Sequence, residues 1–245
     1  MKVITFSNLK GGTGKTTTAI LTANILSGNG FKVLCIDLDI QNSLTLYYLN
    51  DFEQIEQKNI YNVFQDEPLQ DNIININENL DLIPSELNLI DKRNTARLNY
   101  LTKALKNLEY DFIIIDTAPT FDNVLINAYK ATDLLIIPTQ LALFDFKAVM
   151  FLIEQFENYE INTETRILLN RVKHNEEQDN IYYKAFIETF NSKVLPVFIP
   201  ETTLIKKAIE RKEVISTAKN KIKTFTALNK FIDETVNVKN QMELF

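Results

Sequence analysis

The sequence predicts an α/β chain, a doubly wound and mostly parallel twisted sheet with helices on both faces. Three observations carry that prediction. Short β-branched runs alternate with segments of helical spacing along most of the chain. The run from Phe112 to Ile115 is apolar throughout, as expected of a strand buried on both faces. A Gly-rich turn, Gly11-Gly12-Thr13-Gly14, joins the first strand to the first helix.

Taken in order, residues 2 to 7 (Lys-Val-Ile-Thr-Phe-Ser) form the first strand, and Ala19, Ile20, Ala23 and Leu26 recur at helical spacing after Lys15. Lys32 to Asp37 gives a second strand. The Asn-rich stretch from Asn72 to Asn79 reads as a loop before a third strand at Leu80 to Ile83. Glu86 to Leu108 has helical spacing, Asp111 to Ile115 is the fourth strand, and Leu134 to Ile137 the next. A helix through Ala148 to Phe156, strands at Thr165 to Leu169 and Val194 to Ile199, and a helical segment at about 224–240 complete the order. A βαβα order of this kind places ligands at the carboxyl ends of the strands. The 245 residues, 45% of them hydrophobic, suffice for one α/β domain over 1–245.

Composition removes several functions. Nothing approaches an apolar run of about 18 residues, and the chain begins on a charged strand rather than a signal sequence, so a cytoplasmic protein is expected. The one cysteine, Cys35, lies inside an apolar run and reads as a buried, inert thiol that cannot form an internal disulfide. The one histidine, His174, stands in a polar stretch and reads as a loop residue.

Residues 10 to 17, Lys-Gly-Gly-Thr-Gly-Lys-Thr-Thr, carry the chemistry. Glycines let backbone N–H groups converge on an anion, and the following helix N-terminus adds partial positive charge. Lys15 is placed to reach β- and γ-phosphates and the Thr16 hydroxyl to ligate Mg²⁺, so the octet from Lys10 through Thr13 to Thr17 is the candidate ATP-phosphate site. The ordinary pattern needs glycine at position 9. Leu9 stands there instead, with Lys10 beside it as a surplus lysine. Two strands end in carboxylates: Phe112 to Ile115 delivers Asp116 to the rim as a candidate Mg²⁺ ligand, and the second strand delivers Asp37 and then Asp39.

With these segments the chain resembles the ParA/MinD family of P-loop ATPases with a deviant Walker A motif. The resemblance covers roughly residues 1 to 215. It implies an ATP-dependent sandwich dimer in which Lys10 reaches the partner's nucleotide. By position it also implies that Asp39 orients the attacking water, that Asp37 supports the Mg²⁺ shell, and that Asn170, in Leu168-Leu-Asn-Arg, contacts adenine. Asp145 falls where some relatives place an acid near the ribose. Asp39 and Gln41 match the family's first switch, while Ile40 replaces its usual proline. Lys10, Lys15 and Asp39 are thus the candidate catalytic residues.

Within the family, a single cysteine excludes a shared iron–sulfur cluster or an interfacial zinc site, each of which needs at least two thiolates per subunit. The tail from Asn229 carries two lysines, Lys230 and Lys239, against Asp233, Glu234 and Glu243, which suits a helix packed on the domain better than an anionic membrane surface. The net charge of −6 conceals polarity: residues 206–230 carry eight basic side chains against Glu210 and Glu213, leaving −12 elsewhere. Lys206, Lys207, Lys219, Lys221 and Lys223 are therefore the candidate contacts for non-specific DNA, the alternative being an ordinary solvated charge run. Glu201 stands where many ParA relatives have arginine. The expectation is a short ParA-type partition ATPase, nucleoid-associated, working with a ParB-type centromere-binding partner. The alternative is a MinD-like or other positioning ATPase that docks a membrane or protein scaffold.

Overall fold

The computed structural model describes residues 1–173, 177–212 and 222–236. His174, Lys219 and Lys221 lie outside the described residues, as do residues 237–245. One sheet organises the described chain. Its strands are β1 (Lys2–Phe6), β2 (Val33–Leu38), β3 (Ile74–Asn77), β4 (Leu80–Ile83), β5 (Phe112–Thr117), β6 (Leu134–Thr139), β7 (Glu164–Val172) and β8 (Val194–Pro200), in spatial order β3-β4-β2-β5-β1-β6-β7-β8. Every pairing is parallel except β3 with β4.

Side chains of successive strand residues alternate between the two faces, and the core divides accordingly. Ile4 and Phe6 of β1 pack with α1 (Lys15–Gly28) on one face, while Val3 joins Leu34, Ile36, Ile113 and Ile115 on the other. Leu135 and Ile137 of β6 build a third cluster with α6 (Asn123–Ala131), α7 (Leu143–Asn158) and α8 (Glu177–Phe190). Between β2 and β3 run three short helices, α2 (Ser43–Tyr48), α3 (Phe52–Gln57) and α4 (Ile60–Val63), and α5 (Tyr100–Ala104) precedes β5. After β8 come α9 (Thr203–Glu210) and α10 (Ile222–Val236).

Helix α10 closes the α1 face. Phe231 and Ile232 are buried at 1% and 3% exposure, Phe231 meets Phe6 edge-on at 6.4 Å between ring centroids, and Lys2 Nζ donates to the Thr235 carbonyl at 2.8 Å. Burying two such side chains stabilises the docked helix by about 1.5–3 kcal/mol each. Among the described residues, no helix is long and apolar enough to cross a membrane.

Two expected elements differ. Glu86 to Leu108 is not one helix: a 3-10 turn at Leu87–Lys92 and the short α5 are separated by irregular chain. Its apolar residues Leu89, Ala96, Leu101 and Leu105 still bury, but Asn99 and Asn107 take left-handed φ values of 69° and 66°. Asn127 of α6 accepts from Leu101 N–H and donates to the Arg97 carbonyl, so a tertiary contact replaces a helical one. The Asn-rich stretch read as a loop contains β3. Ile74 and Ile76 alternate with Asn75 and Asn77 there, enough for an antiparallel edge strand with Ile74 buried.

Candidate functional site

The loop between β1 and α1 lies at the carboxyl end of the central strand, flanked by β5 and β6. Gly12 and Gly14 adopt φ of 76° and 100°, a region that disfavours any side chain. At Gly14 space is also closed, since a Cβ would lie 2.2 Å from Asn170 Nδ2. Gly14 is the N-cap of α1, so the helix dipole and the loop's N–H groups address the same place. Lys15, the first residue of α1, is only 7% exposed; burial lowers its pKa while Asp116 and Asp39 oppose that shift.

The acids sit opposite. Asp37 and Asp116 are register partners on β2 and β5, and both are fully buried. Asp37 is saturated: Oδ1 accepts from Asp39 N–H at 3.0 Å, and Oδ2 from Thr45 N–H at 2.9 Å and the Thr45 hydroxyl at 2.8 Å. Burial still pushes its carboxyl up to about 6, against those three bonds. Asp116 is the reverse case, with neither carboxylate oxygen holding a hydrogen-bond partner among the described residues. Burial and the neighbouring Asp37 raise its pKa well above the usual carboxylate range, while Thr16 and Lys15 work the other way.

A carboxyl buried beside a second acid, with only the Thr16 hydroxyl and the Lys15 charge to offset it and neither oxygen within hydrogen-bond geometry of a donor, is a place where a cation is favoured. The donors at this point, the Asp116 carboxylate and the Thr16 hydroxyl, are hard oxygens of the type Mg²⁺ takes, so the residues fit that ion. Asp39 is partly exposed, and its Oδ1 caps the following turn by accepting from Gln41 N–H at 3.0 Å.

Asn170, at the end of β7, is buried with its Nδ2 donating to the Thr13 carbonyl at 2.8 Å. It walls a cavity of about 160 Å³ with Gly14, Thr18, Arg171, Pro200 and Ile205. Its mixed polar and apolar lining lies beside Gly14 of the phosphate loop. The α9 wall of this cavity was not read as part of the site from sequence; the Ile199-Pro200 pair followed by the capping Thr202, which accepts from Leu204 N–H, was the available signal.

Lys10 is folded back onto its own chain, where Nζ pairs with Asp145, a residue with no exposed side-chain surface. The position that the resemblance puts near the ribose pairs with the surplus lysine in this structure. Of the basic residues, Lys206 lines the cavity mouth and lies 3.8 Å from Glu210, Lys207 is exposed on the same helix, and Lys223 falls on α10 with its side chain outside the described residues.

A strand, a left-handed glycine loop, a lysine and a helix facing strand-end carboxylates define a phosphate-loop nucleotide-binding protein. Residues 1–170 match the AAA domain family model, and the chain belongs to that family, in its ParA branch of ATPases. It is 34% identical to the sporulation initiation inhibitor protein Soj of Bacillus subtilis over 57% of this chain and 58% of that one. The chromosome-partitioning ATPase Soj of Thermus thermophilus is 29% identical over 68% of this chain and 66% of its own. A plasmid partition protein from Borrelia burgdorferi superposes with a TM-score of 0.76 at 29% identity, covering 95% of this chain and 98% of that one. A further structure from that organism, bound to AMPPNP, reaches 0.79 over 95% and 99%.

Proposed function

We propose that the chain, acting as one ATPase domain over residues 1–245, is a partition ATPase that uses ATP to switch its hold on DNA. The observation that supports this reading is the phosphate loop set against Asp116, a buried acid neither of whose oxygens is within hydrogen-bond geometry of a donor among the described residues. The likeness to Soj proteins and to a partition protein supports the biological role.

In this reading Lys15 and the loop N–H groups from Gly11 to Thr17 bind the triphosphate, and Asn170 bounds the base. Thr16 and Asp116 hold Mg²⁺, which when bound neutralises charge on the phosphates. Asp37 acts from one step back: its three hydrogen bonds tie the switch residues Asp39 and Thr45 to the end of β2. Asp39, fixed by that tie, orients water for attack on the γ-phosphorus, and the positive loop stabilises the transferring group. Lys10 releases Asp145 and reaches the partner's nucleotide as two copies close on ATP. The dimer then doubles the basic surface around Lys207, and non-specific DNA binding holds it on the nucleoid until hydrolysis, stimulated by a ParB-type centromere-binding protein, releases it.

Co-sedimentation with random-sequence DNA and with anionic vesicles, each with Mg²⁺ and either ATP or ADP, tests the reading. Retention on DNA with ATP alone supports it. Retention on vesicles, or on neither, favours the positioning ATPase that docks a membrane or a protein scaffold.

A further inference from the structure

The phosphate loop is braced from outside by two side chains that come from different strands. A trans peptide points its C=O and N–H in opposite directions, and no peptide among the described residues is cis. The Gly12 carbonyl accepts from Gln140 Nε2 at 3.2 Å, just beyond β6. The Thr13 carbonyl accepts from Asn170 Nδ2 at 2.8 Å, at the end of β7. The Gly14 carbonyl accepts from Thr18 N–H at 2.9 Å and from its hydroxyl at 2.7 Å. Three successive carbonyls are thus each held by a donor. The N–H groups of Thr13, Gly14 and Lys15, which share those peptide planes, each point away from the donor that holds the carbonyl.

We propose that Gln140 and Asn170 are positioning residues that hold the loop in its anion-accepting shape before nucleotide arrives. The left-handed φ values at Gly12 and Gly14 are permitted by glycine but not enforced by it, because glycine occupies many other conformations as readily. Enforcement falls to the two donors. Asn170 is itself oriented, since its Oδ1 accepts from Arg171 N–H at 2.9 Å and its amide packs where a Cβ on Gly14 would stand. Gln140 is oriented through its own N–H, which donates to Asp145 Oδ1 at 3.2 Å, and the other oxygen of Asp145 holds Lys10. The lysine that leaves on dimerisation and the brace on Gly12 therefore share one carboxylate. Preformed donors spare the cost of ordering them on binding.

This inference rests on the reading of the loop as a triphosphate site, and it gives Asn170 a duty beyond contact with the base. Affinities of Asn170→Ala, Asn170→Asp and Gln140→Ala for Mg·ATP and for inorganic tripolyphosphate, measured by competition against a fluorescent ATP analogue, separate the two duties. Each variant should lose about tenfold in affinity for tripolyphosphate as well as for ATP, the effect of one hydrogen bond. The melting temperature of nucleotide-free Gln140→Ala should stay near that of wild type, which a general loss of packing would not allow. Unchanged tripolyphosphate affinity would overturn the inference and leave Asn170 with the base alone. Should the Asn170 variants fail to fold, Gln140→Ala decides, because its side chain lies at the surface and its loss empties no core. A wild-type chain that binds neither probe would instead overturn the nucleotide reading itself.

Discussion

Lys10→Ala should destabilise the nucleotide-free chain by about 2 kcal/mol, and Asp145→Asn should reverse about half of that loss. Asp145 has no exposed side-chain surface, and Lys10 is 38% exposed. Removing one partner of a fully buried ion pair costs about 3–5 kcal/mol, because the survivor stays charged and buried. A solvent-exposed pair is worth about 0–1 kcal/mol. One end of this pair is buried and the other is not, which places Lys10→Ala between the two. Asp145→Asn removes the stranded charge, keeps an oxygen for Gln140 N–H, and alone should cost about 1 kcal/mol. Urea unfolding of both single variants and the double variant gives the coupling directly, and about 2 kcal/mol is expected. Additivity within about 0.5 kcal/mol would refute the reasoning. The same pair must open before Lys10 can serve another subunit, so Asp145→Asn should also lower the ATP concentration at which a dimer forms in sedimentation velocity.

Gly14→Ala places a Cβ 2.2 Å from Asn170 Nδ2 at a φ of 100°, so strain of about 1–2 kcal/mol adds to the loss of the Asn170–Thr13 bond, and ATP affinity measured by calorimetry should fall at least about thirtyfold. Asp39→Ala should leave ATP affinity near wild type and slow single-turnover hydrolysis by about 10² or more; an unchanged rate would remove Asp39 from the mechanism. Asp37 gives a pH dependence. Burial raises its carboxyl from the ordinary 3.8 to about 6, so between those values the folded chain keeps a proton that the unfolded chain has released. Its contribution to stability therefore falls as pH rises through that window, by about 3 kcal/mol in all. Urea midpoints of Asp37→Asn relative to wild type should accordingly improve from pH 4 to pH 6.5, and a difference independent of pH would contradict the assignment.

Much of the site was legible because its residues are adjacent in sequence or end a strand. The octet Lys10–Thr17 is contiguous, and an apolar run such as Phe112 to Ile115 can deliver Asp116 only to a sheet rim. The partner of Lys10 was not legible. Asp145 is 135 residues away, and nothing in a lone aspartate near the start of a helix says that it is buried under a lysine. Gln140 and Thr45 escaped for a related reason. Their work is done by short polar side chains through bonds to distant backbone or carboxylate groups, and such bonds leave no periodicity. In the fold, the apolar residues of Glu86 to Leu108 do bury, Leu89, Leu101 and Leu105 among them, but the helical spacing misjudged the backbone that carries them. Asparagines at left-handed φ and the side chain of Asn127 decide the path between Glu86 and Leu108.

The most direct test of the nucleotide-gated DNA reading is the affinity for random-sequence DNA across a range of salt concentrations, with ATP and with ADP. The expected result is binding with ATP that weakens steeply and log-linearly as salt rises, and little binding with ADP at any salt. Equal affinity with both nucleotides, or no salt dependence, would contradict it.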